Sequence, residues 1–208
     1  MLLKTIKEQN AINFLKLMRL KRIKESKLFL LTKNIGVFLL ITVGICESDF
    51  KITQLANHFF AHHGFICNNT ICDSDADFIF DSLKKGTHYD ILIENKTLNT
   101  PVKANYIHLL NSDDVTLTPC TSKCIFITYG LNSFATVTAS SIHYDDNCLK
   151  FQYCLQRNIV NLKGAIIECQ EFPVCIYNSS SVIHSALAFT TLALIAGFNP
   201  PLLKDIKI

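Results

Sequence analysis

Two apolar runs bracket the chain. Ile35–Cys46 (IGVFLLITVGIC) holds twelve apolar or small residues, extended upstream by Leu28–Leu31 across Lys33 and Asn34. Val182–Phe198 (VIHSALAFTTLALIAGF) holds seventeen, with no formal charge beyond His184. Between them the pattern alternates more finely. Ile52, Leu55, Phe59 and His63 recur at helical spacing, which predicts a helix near 52–63 ended by Gly64. After Lys84-Lys85-Gly86 the period shortens towards two. Tyr89–Glu94, Tyr106–Leu110, Val115–Thr118, Cys124–Tyr129, Phe134–Ala139, Leu149–Leu155, Asn158–Leu162 and Ala165–Gln170 read as strands. They are rich in β-branched and aromatic residues and are parted by Asn, Asp, Gly and Pro. The predicted fold is mainly β, a disulfide-stabilised sandwich or meander with one short helix, flanked by apolar helices at both ends.

Each bracketing run matches a membrane element. Twelve helical residues span about 18 Å, short of a hydrocarbon core of about 30 Å. Ile35–Cys46 therefore fits the apolar region of a signal peptide, with small residues for a cut before Glu47 or Asp49. An uncleaved signal anchor and a basic helix at a cytosolic membrane surface are the alternatives, and Met18 is a second possible start. Val182–Phe198 spans about 25 Å as a helix. It reads as a transmembrane span, a lipid-anchor signal or a buried core helix. Lys204 and Lys207 behind it suit the cytosolic side of a span.

Charge points the same way. The net +3 divides unevenly. Residues 1–34 carry nine Lys/Arg against Glu8 and Glu25, whereas residues 47–198 carry nine against fourteen Asp/Glu. A nucleic-acid binder would carry its positive charge on the folded domain, so nucleic acid is not an expected partner. The expected organisation is a signal region over 1–46, an ectodomain over 47–181, a span over 182–198 and a tail over 199–208.

Eight of the nine cysteines fall in four close pairs: Cys67/Cys72, Cys120/Cys124, Cys148/Cys154 and Cys169/Cys175. None has the two-residue spacing of a zinc knuckle or a thioredoxin-type redox pair. In an exported chain an even set reads as structural disulfides, of unspecified connectivity. Cys148 and Cys154 share a strand face and are too far apart to pair with each other. Asn68, Asn95 and Asn178 begin glycosylation sequons.

The segment Cys120-Thr-Ser-Lys-Cys124, leading into IFITYG, is followed by FATVTA, an Asp-rich turn, Cys148-x5-Cys154 and a strand ending at Cys169. Over about residues 120–175 this resembles the six-cysteine extracellular domain of nematode proteins. The resemblance implies an extracellular β-domain of unknown function, with no catalytic residues to assign.

Other chemistry leaves little trace. His58, His62 and His63 lack the glutamate and third ligand of a helical zinc site, so no metal is expected. Asp73, Asp75 and Asp77 begin like a calcium loop, but Phe78 and Lys84 stand where Gly and Glu are required. There is no Gly-x-Ser-x-Gly elbow, no Walker lysine and no dinucleotide fingerprint, so no cofactor is expected. His108 and His143 are candidates for a Cys–His pair by residue type alone. The reading is a cell-surface or secreted binding or adhesion module, not an enzyme, with the membrane and an extracellular protein or glycan as partners. A secreted hydrolase with a site assembled from distant residues is the alternative.

Overall fold

The structure is a computed structural model that describes residues 40–47, 51–68, 77–82, 87–96, 102–114, 124–145, 147–177 and 182–207. Its twelve strands are β1 (Ile41–Cys46), β2 (Cys67–Asn68), β3 (Phe78–Ser82), β4 (His88–Glu94), β5 (Lys103–Asn111), β6 (Ile125–Tyr129), β7 (Val137–Asp145), β8 (Cys148–Leu155), β9 (Ile159–Val160), β10 (Ile166–Ile167), β11 (Gln170–Tyr177) and β12 (Asp205–Lys207). Among the described residues two α-helices accompany them, α1 (Lys51–His62) and α2 (Ile183–Ile195). Ten strands form one sheet in the order β12-β11-β8-β7-β6-β5-β4-β1-β3-β2, and β9 pairs with β10. Every pair from β2 to β7 is parallel. The β7–β8 and β8–β11 pairs are antiparallel, and β12 closes the edge parallel to β11.

The fold is thus mainly β, as expected, but it is one mixed sheet rather than a sandwich or meander. Parallel strands need long crossovers and are covered on both faces, so they read as nearly continuous apolar runs. The segment ITVGIC is such a run. As β1 it lies between β3 and β4, with Ile41, Val43, Ile45 and Cys46 buried. A signal-peptide reading of Ile35–Cys46 is overturned on that ground: cleavage before Glu47 would remove a central strand. Thr42 and Asp90 pin the β1–β4 register. The Thr42 N–H and Oγ1 both donate to Asp90 Oδ2 at 2.9 Å, and the Asp90 N–H donates to Thr42 Oγ1 at 3.1 Å.

The helices share one core with the sheet. α1 has the predicted face, burying Ile52, Leu55, Ala56, Phe59 and Phe60. Gly64 (φ 81°) ends it: the Gly64 N–H donates to Ala61 O at 3.0 Å and the Phe65 N–H to Phe60 O at 3.0 Å. α2 ends the same way at Gly197 (φ 97°), with Gly197 N–H donating to Leu194 O at 2.9 Å and Phe198 N–H to Ala193 O at 3.0 Å. Phe198 then packs its ring against Phe59, Phe60, His63 and Phe65, and Phe59 meets Phe189.

Every residue of α2 except His184 is buried. A helix apolar all round must be surrounded by apolar material, and here protein supplies it. Its Thr191 hydroxyl is held inside the molecule: Oγ1 donates to Leu187 O at 2.7 Å and lies 3.0 Å from the Tyr153 hydroxyl. The transmembrane reading of 182–198 is corrected accordingly. Among the described residues no helix is long and apolar enough to cross a membrane.

The disulfide expectation also fails. Cys46, Cys67, Cys124, Cys148, Cys154, Cys169 and Cys175 are all thiols, while Cys72 and Cys120 lie outside the described residues. Two of them, Cys148 and Cys175, are diagonal neighbours whose side chains interact as thiols. Cys148 stands opposite Tyr177 and Cys175 opposite Lys150, each on the antiparallel β8–β11 ladder. The Cys148 thiol donates instead to Asp145 Oδ2 at 3.5 Å.

Candidate functional site

The carboxyl ends of the parallel strands converge on one rim of the sheet. β1 lies where the strand order reverses, since the chain runs from β1 to β2 and β3 on one side and then to β4 on the other. In open sheets with parallel strands, ligands bind outside the carboxyl ends at such a switch point. The rim is built from Glu47 after β1, Glu94-Asn95 after β4, Asn111-Ser112-Asp113 after β5, Gly130–Asn132 after β6, and His184 in the first turn of α2.

Asp113 is its most connected carboxylate. Its Oδ2 accepts from the Leu131 N–H at 2.6 Å and lies 2.8 Å from His184 Nε2. Its Oδ1 accepts from the Asn132 N–H at 3.2 Å and from Asn132 Nδ2 at 2.7 Å. Partial burial pushes its pKa up, but the hydrogen bonds from Leu131, His184 and Asn132 prevail and hold it below the usual carboxylate range. Asn132 Nδ2 also reaches Ser112 Oγ at 2.6 Å. Gly130 makes this possible, because a Cβ there would stand 2.7 Å from Ser112 Oγ and 2.8 Å from Asp113 Oδ1.

A second knot ties β4, β5 and β6. The Tyr129 hydroxyl donates to Glu94 O and lies 3.2 Å from Asn95 Oδ1, and Asn111 Nδ2 donates to Asn95 O at 3.2 Å. Burial, with the negative charge of Glu47 and Glu94 next, pushes the Tyr129 phenol well above its ordinary range. Behind the rim, His108 Nε2 lies 3.0 Å from Glu94 Oε2, both side chains about 4% exposed.

At the switch point itself sits Glu47. Its Oε2 accepts from the Ile52 N–H at 2.6 Å, and its Oε1 accepts from the Thr53 N–H at 3.0 Å and Thr53 Oγ1 at 2.7 Å. The start of α1 therefore holds a carboxylate against otherwise unpaired first-turn amides, as helix N-termini hold anions generally.

Sequence reasoning found little of this rim. Asn95, which begins a glycosylation sequon, has its carboxamide built into the Tyr129–Asn111 knot. The Asn68 side chain and Asn178 lie outside the described residues. His108 and His143 are not brought together: His108 pairs with Glu94, and exposed His143 with Asp145 at 2.8 Å. Neither bonds a cysteine among the described residues. His58 and His62 are exposed and His63 packs on Phe59 and Phe198. Among the described residues no group of three or more His, Cys, Asp or Glu is arranged to hold a metal ion. The calcium-like run Asp73–Asp75 is outside the described residues, while Asp77 accepts from the Ile66 N–H at 2.8 Å. The missed signal was positional. ILIEN, HLLNSDD and ITYGLN each end an apolar run in Asn, Asp or Gly, which marks strand ends at one rim once the strands are parallel.

A largely parallel sheet whose two helices share its core defines the class, a mainly β mixed-sheet fold with an antiparallel extension. No protein-family model and no curated protein sequence matches the chain. Solved structures do. A UDP-N-acetylmuramoyl-L-alanyl-D-glutamate–2,6-diaminopimelate ligase matches with a TM-score of 0.54 at 12% identity, over 79% of this chain and 45% of that one. MurF ligase from Thermotoga maritima, solved in complex with ADP, matches with a TM-score of 0.55 at 12% identity, over 84% and 50%. MurF from Acinetobacter baumannii matches with a TM-score of 0.53 at 6% identity, over 79% and 44%. The chain spans about half the length of these ligases or less.

The fold is thus shared with enzymes, which overturns the expectation of a non-catalytic adhesion module. The secreted hydrolase is displaced with it, because the expected leader segment is a strand inside the sheet and the described cysteines are thiols. With β1 central, the described cysteines reduced and no membrane-crossing helix among the described residues, the expected cell-surface setting, glycoprotein character and membrane partner are also overturned.

Proposed function

We propose that this chain is the nucleotide-binding portion of a ligase-like protein, taking the phosphates of a nucleoside diphosphate or triphosphate at the rim between β1 and β4. The observation that carries this reading is the anion-holding start of α1. Two first-turn amides and the Thr53 hydroxyl converge on one carboxylate at the switch point of a fold shared with a ligase solved with ADP. A phosphate oxygen makes the same demand on backbone N–H groups as a carboxylate oxygen. Asn95, Asn111 and Asn132 hold the neighbouring strand ends in place through their own hydrogen bonds, which fixes the shape of the rim. Ligation itself would require the rest of such a protein.

Isothermal titration of the full chain with ADP tests the reading. Saturable binding, weakened by Asn111→Ala, is the expected result. Absence of heat at millimolar ADP would refute it.

A further inference from the structure

The β8–β11 ladder sets two thiols side by side on the outward face of the sheet's antiparallel extension. Cys148 pairs with Tyr177, and Lys150 with Cys175. Opposite residues of an antiparallel ladder point to the same face, as do residues two apart in one strand. Cys148, Lys150, Cys175 and Tyr177 therefore share one face, with the two sulfurs on a diagonal. That face is the outer one, because the intervening Leu149, Phe151 and Ile176 point into the core. β7 and β12 extend the same rows, with Asp145 beside Cys148, His143 beside Lys150, Asp205 beside Cys175 and Lys207 beside Tyr177. His143, Asp145, Lys150, Asp205 and Lys207 are exposed, and the sulfurs sit low among these longer side chains, Cys148 7% and Cys175 8% exposed. Both are thiols, and their side chains interact.

The diagonal decides what the two sulfurs can bond. Diagonal residues of an antiparallel pair have Cα atoms about 7–8 Å apart. A disulfide needs about 4.4–6.8 Å, so closing one would require the ladder to shift. One atom between the sulfurs removes that demand. Two in-line metal–thiolate bonds of about 2.3 Å separate the sulfurs by about 4.6 Å. Ligand number then selects the ion. Zinc takes four ligands in a structural site, and this face supplies two sulfurs. Cys154, the other outward thiol of β8, is six residues along the strand from Cys148, about 20 Å away. Thiolates are soft ligands suited to Cu(I).

We propose that Cys148 and Cys175 form a two-coordinate site for a soft monovalent cation, Cu(I), on the outer face of β8 and β11. Each sulfur gives up its proton as it binds, so one Cu(I) displaces two protons and leaves a bis-thiolate of net charge −1. The face carries Lys150 and Lys207 against Asp145 and Asp205, so it is neutral before the ion binds and takes one negative charge with it. The Cys148 thiol, which donates to Asp145 Oδ2 at 3.5 Å, exchanges that weak bond for the metal. Asp145 Oδ2 keeps the Lys150 ammonium at 2.8 Å.

The test titrates Cu(I) into the reduced full chain, without oxygen, against the chromophoric Cu(I) chelator bathocuproine disulfonate. Wild type is compared with Cys148→Ser, Cys175→Ser and, as a control, Cys154→Ser. Wild type should draw one Cu(I) per chain from the chelator, with a thiolate-to-copper absorption in the near ultraviolet and two sulfur neighbours by X-ray absorption. Cys148→Ser and Cys175→Ser should each weaken binding by more than about a hundredfold, beyond the roughly 10–100-fold that a group merely supporting a ligand contributes. Cys154→Ser should match wild type. In the wild-type chain one equivalent of Cu(I) should protect Cys148 and Cys175 from alkylation while Cys169 still reacts, which keeps the site testable if a serine variant does not fold. Failure of wild type to take Cu(I) from the chelator would overturn the site. So would undiminished binding in Cys148→Ser or Cys175→Ser, three or more sulfur neighbours around the ion, or alkylation of Cys148 and Cys175 unaffected by Cu(I).

Discussion

Asp113 Oδ2 and His184 Nε2 lie 2.8 Å apart across 71 residues of chain. That contact ties the end of β5 to the first turn of α2, at the edge of the candidate site. Asp113 to Ala should destabilise the fold by about 1–3 kcal/mol, since the Leu131 and Asn132 N–H groups lose a charged acceptor. Chemical denaturation measures it.

The same carboxylate makes stability depend on pH. The folded-state pKa of Asp113 is depressed, so its contribution is complete above the unfolded value of about 3.9 and disappears as pH falls through the lower folded value. The gap in denaturation midpoint between wild type and Asp113→Asn should therefore be widest near neutrality and shrink below about pH 4. A gap that grows on acidification would contradict the assignment.

Gly130 is required for space. An added methyl would sit 2.7 Å from Ser112 Oγ and 2.8 Å from Asp113 Oδ1. Both are side-chain atoms, but each is held by a 2.6 Å hydrogen bond involving its residue, to Asn132 Nδ2 and to the Leu131 N–H respectively. Gly130→Ala should cost about 1–3 kcal/mol and weaken any ligand bound at the rim. Unchanged stability would mean that the Ser112–Asp113 corner yields freely.

Phe189 fills the space between α1 and α2 and is fully buried. Phe189→Ala should cost about 3–5 kcal/mol, as removal of a large core ring generally does. A helix immersed in lipid would register the change far less in the unfolding of a detergent-free sample. The measurement thus separates a core helix from a span.

Thiol reactivity should follow burial and local charge. Burial, then Asp77, pushes the Cys67 thiol up to about 12. Burial, then the hydrogen bond to Asp145, raises that of Cys148. Cys169 is exposed. Timed alkylation at neutral pH with peptide mapping should label Cys169 first and Cys67 and Cys148 slowly, because the thiolate is the reacting form. Recovery of a peptide linked through Cys148, Cys154, Cys169 or Cys175 under non-reducing conditions would contradict the thiol assignment.

What was legible in the chain is local. Helix α1 was readable because Ile52, Leu55 and Phe59 keep a 3.6-residue period and Gly64 supplies the left-handed stop. β4, β5, β6 and β8 were readable from their β-branched and aromatic runs. β3 is not legible, because its short Phe-Ile-Phe core directly follows an aspartate-rich stretch with no alternating pattern. β11 was cut short because its middle holds Pro173. A proline fits there because β12 covers the outer side of β11 only from Cys175 onward.

The chain by itself determined how much apolar surface must be hidden and which segments carry it. It did not determine what hides it. ITVGIC is equally a signal-peptide core and a central parallel strand, and VIHSALAFTTLALI is equally a lipid-facing and a protein-facing helix, because hydrophobicity records exclusion from water and not the medium that replaces it. The choice rests on partners distant in sequence, β3 and β4 for the first, the β5–β7 face and α1 for the second. The cysteines follow the same logic: register, not spacing, brings Cys148 of β8 diagonally beside Cys175 of β11. The rim exists only in three dimensions. Glu47, Asn95, Asn111, Asp113, Asn132 and His184 are ordinary polar residues until parallel pairing brings the strand ends together, and that pairing is encoded by no segment alone.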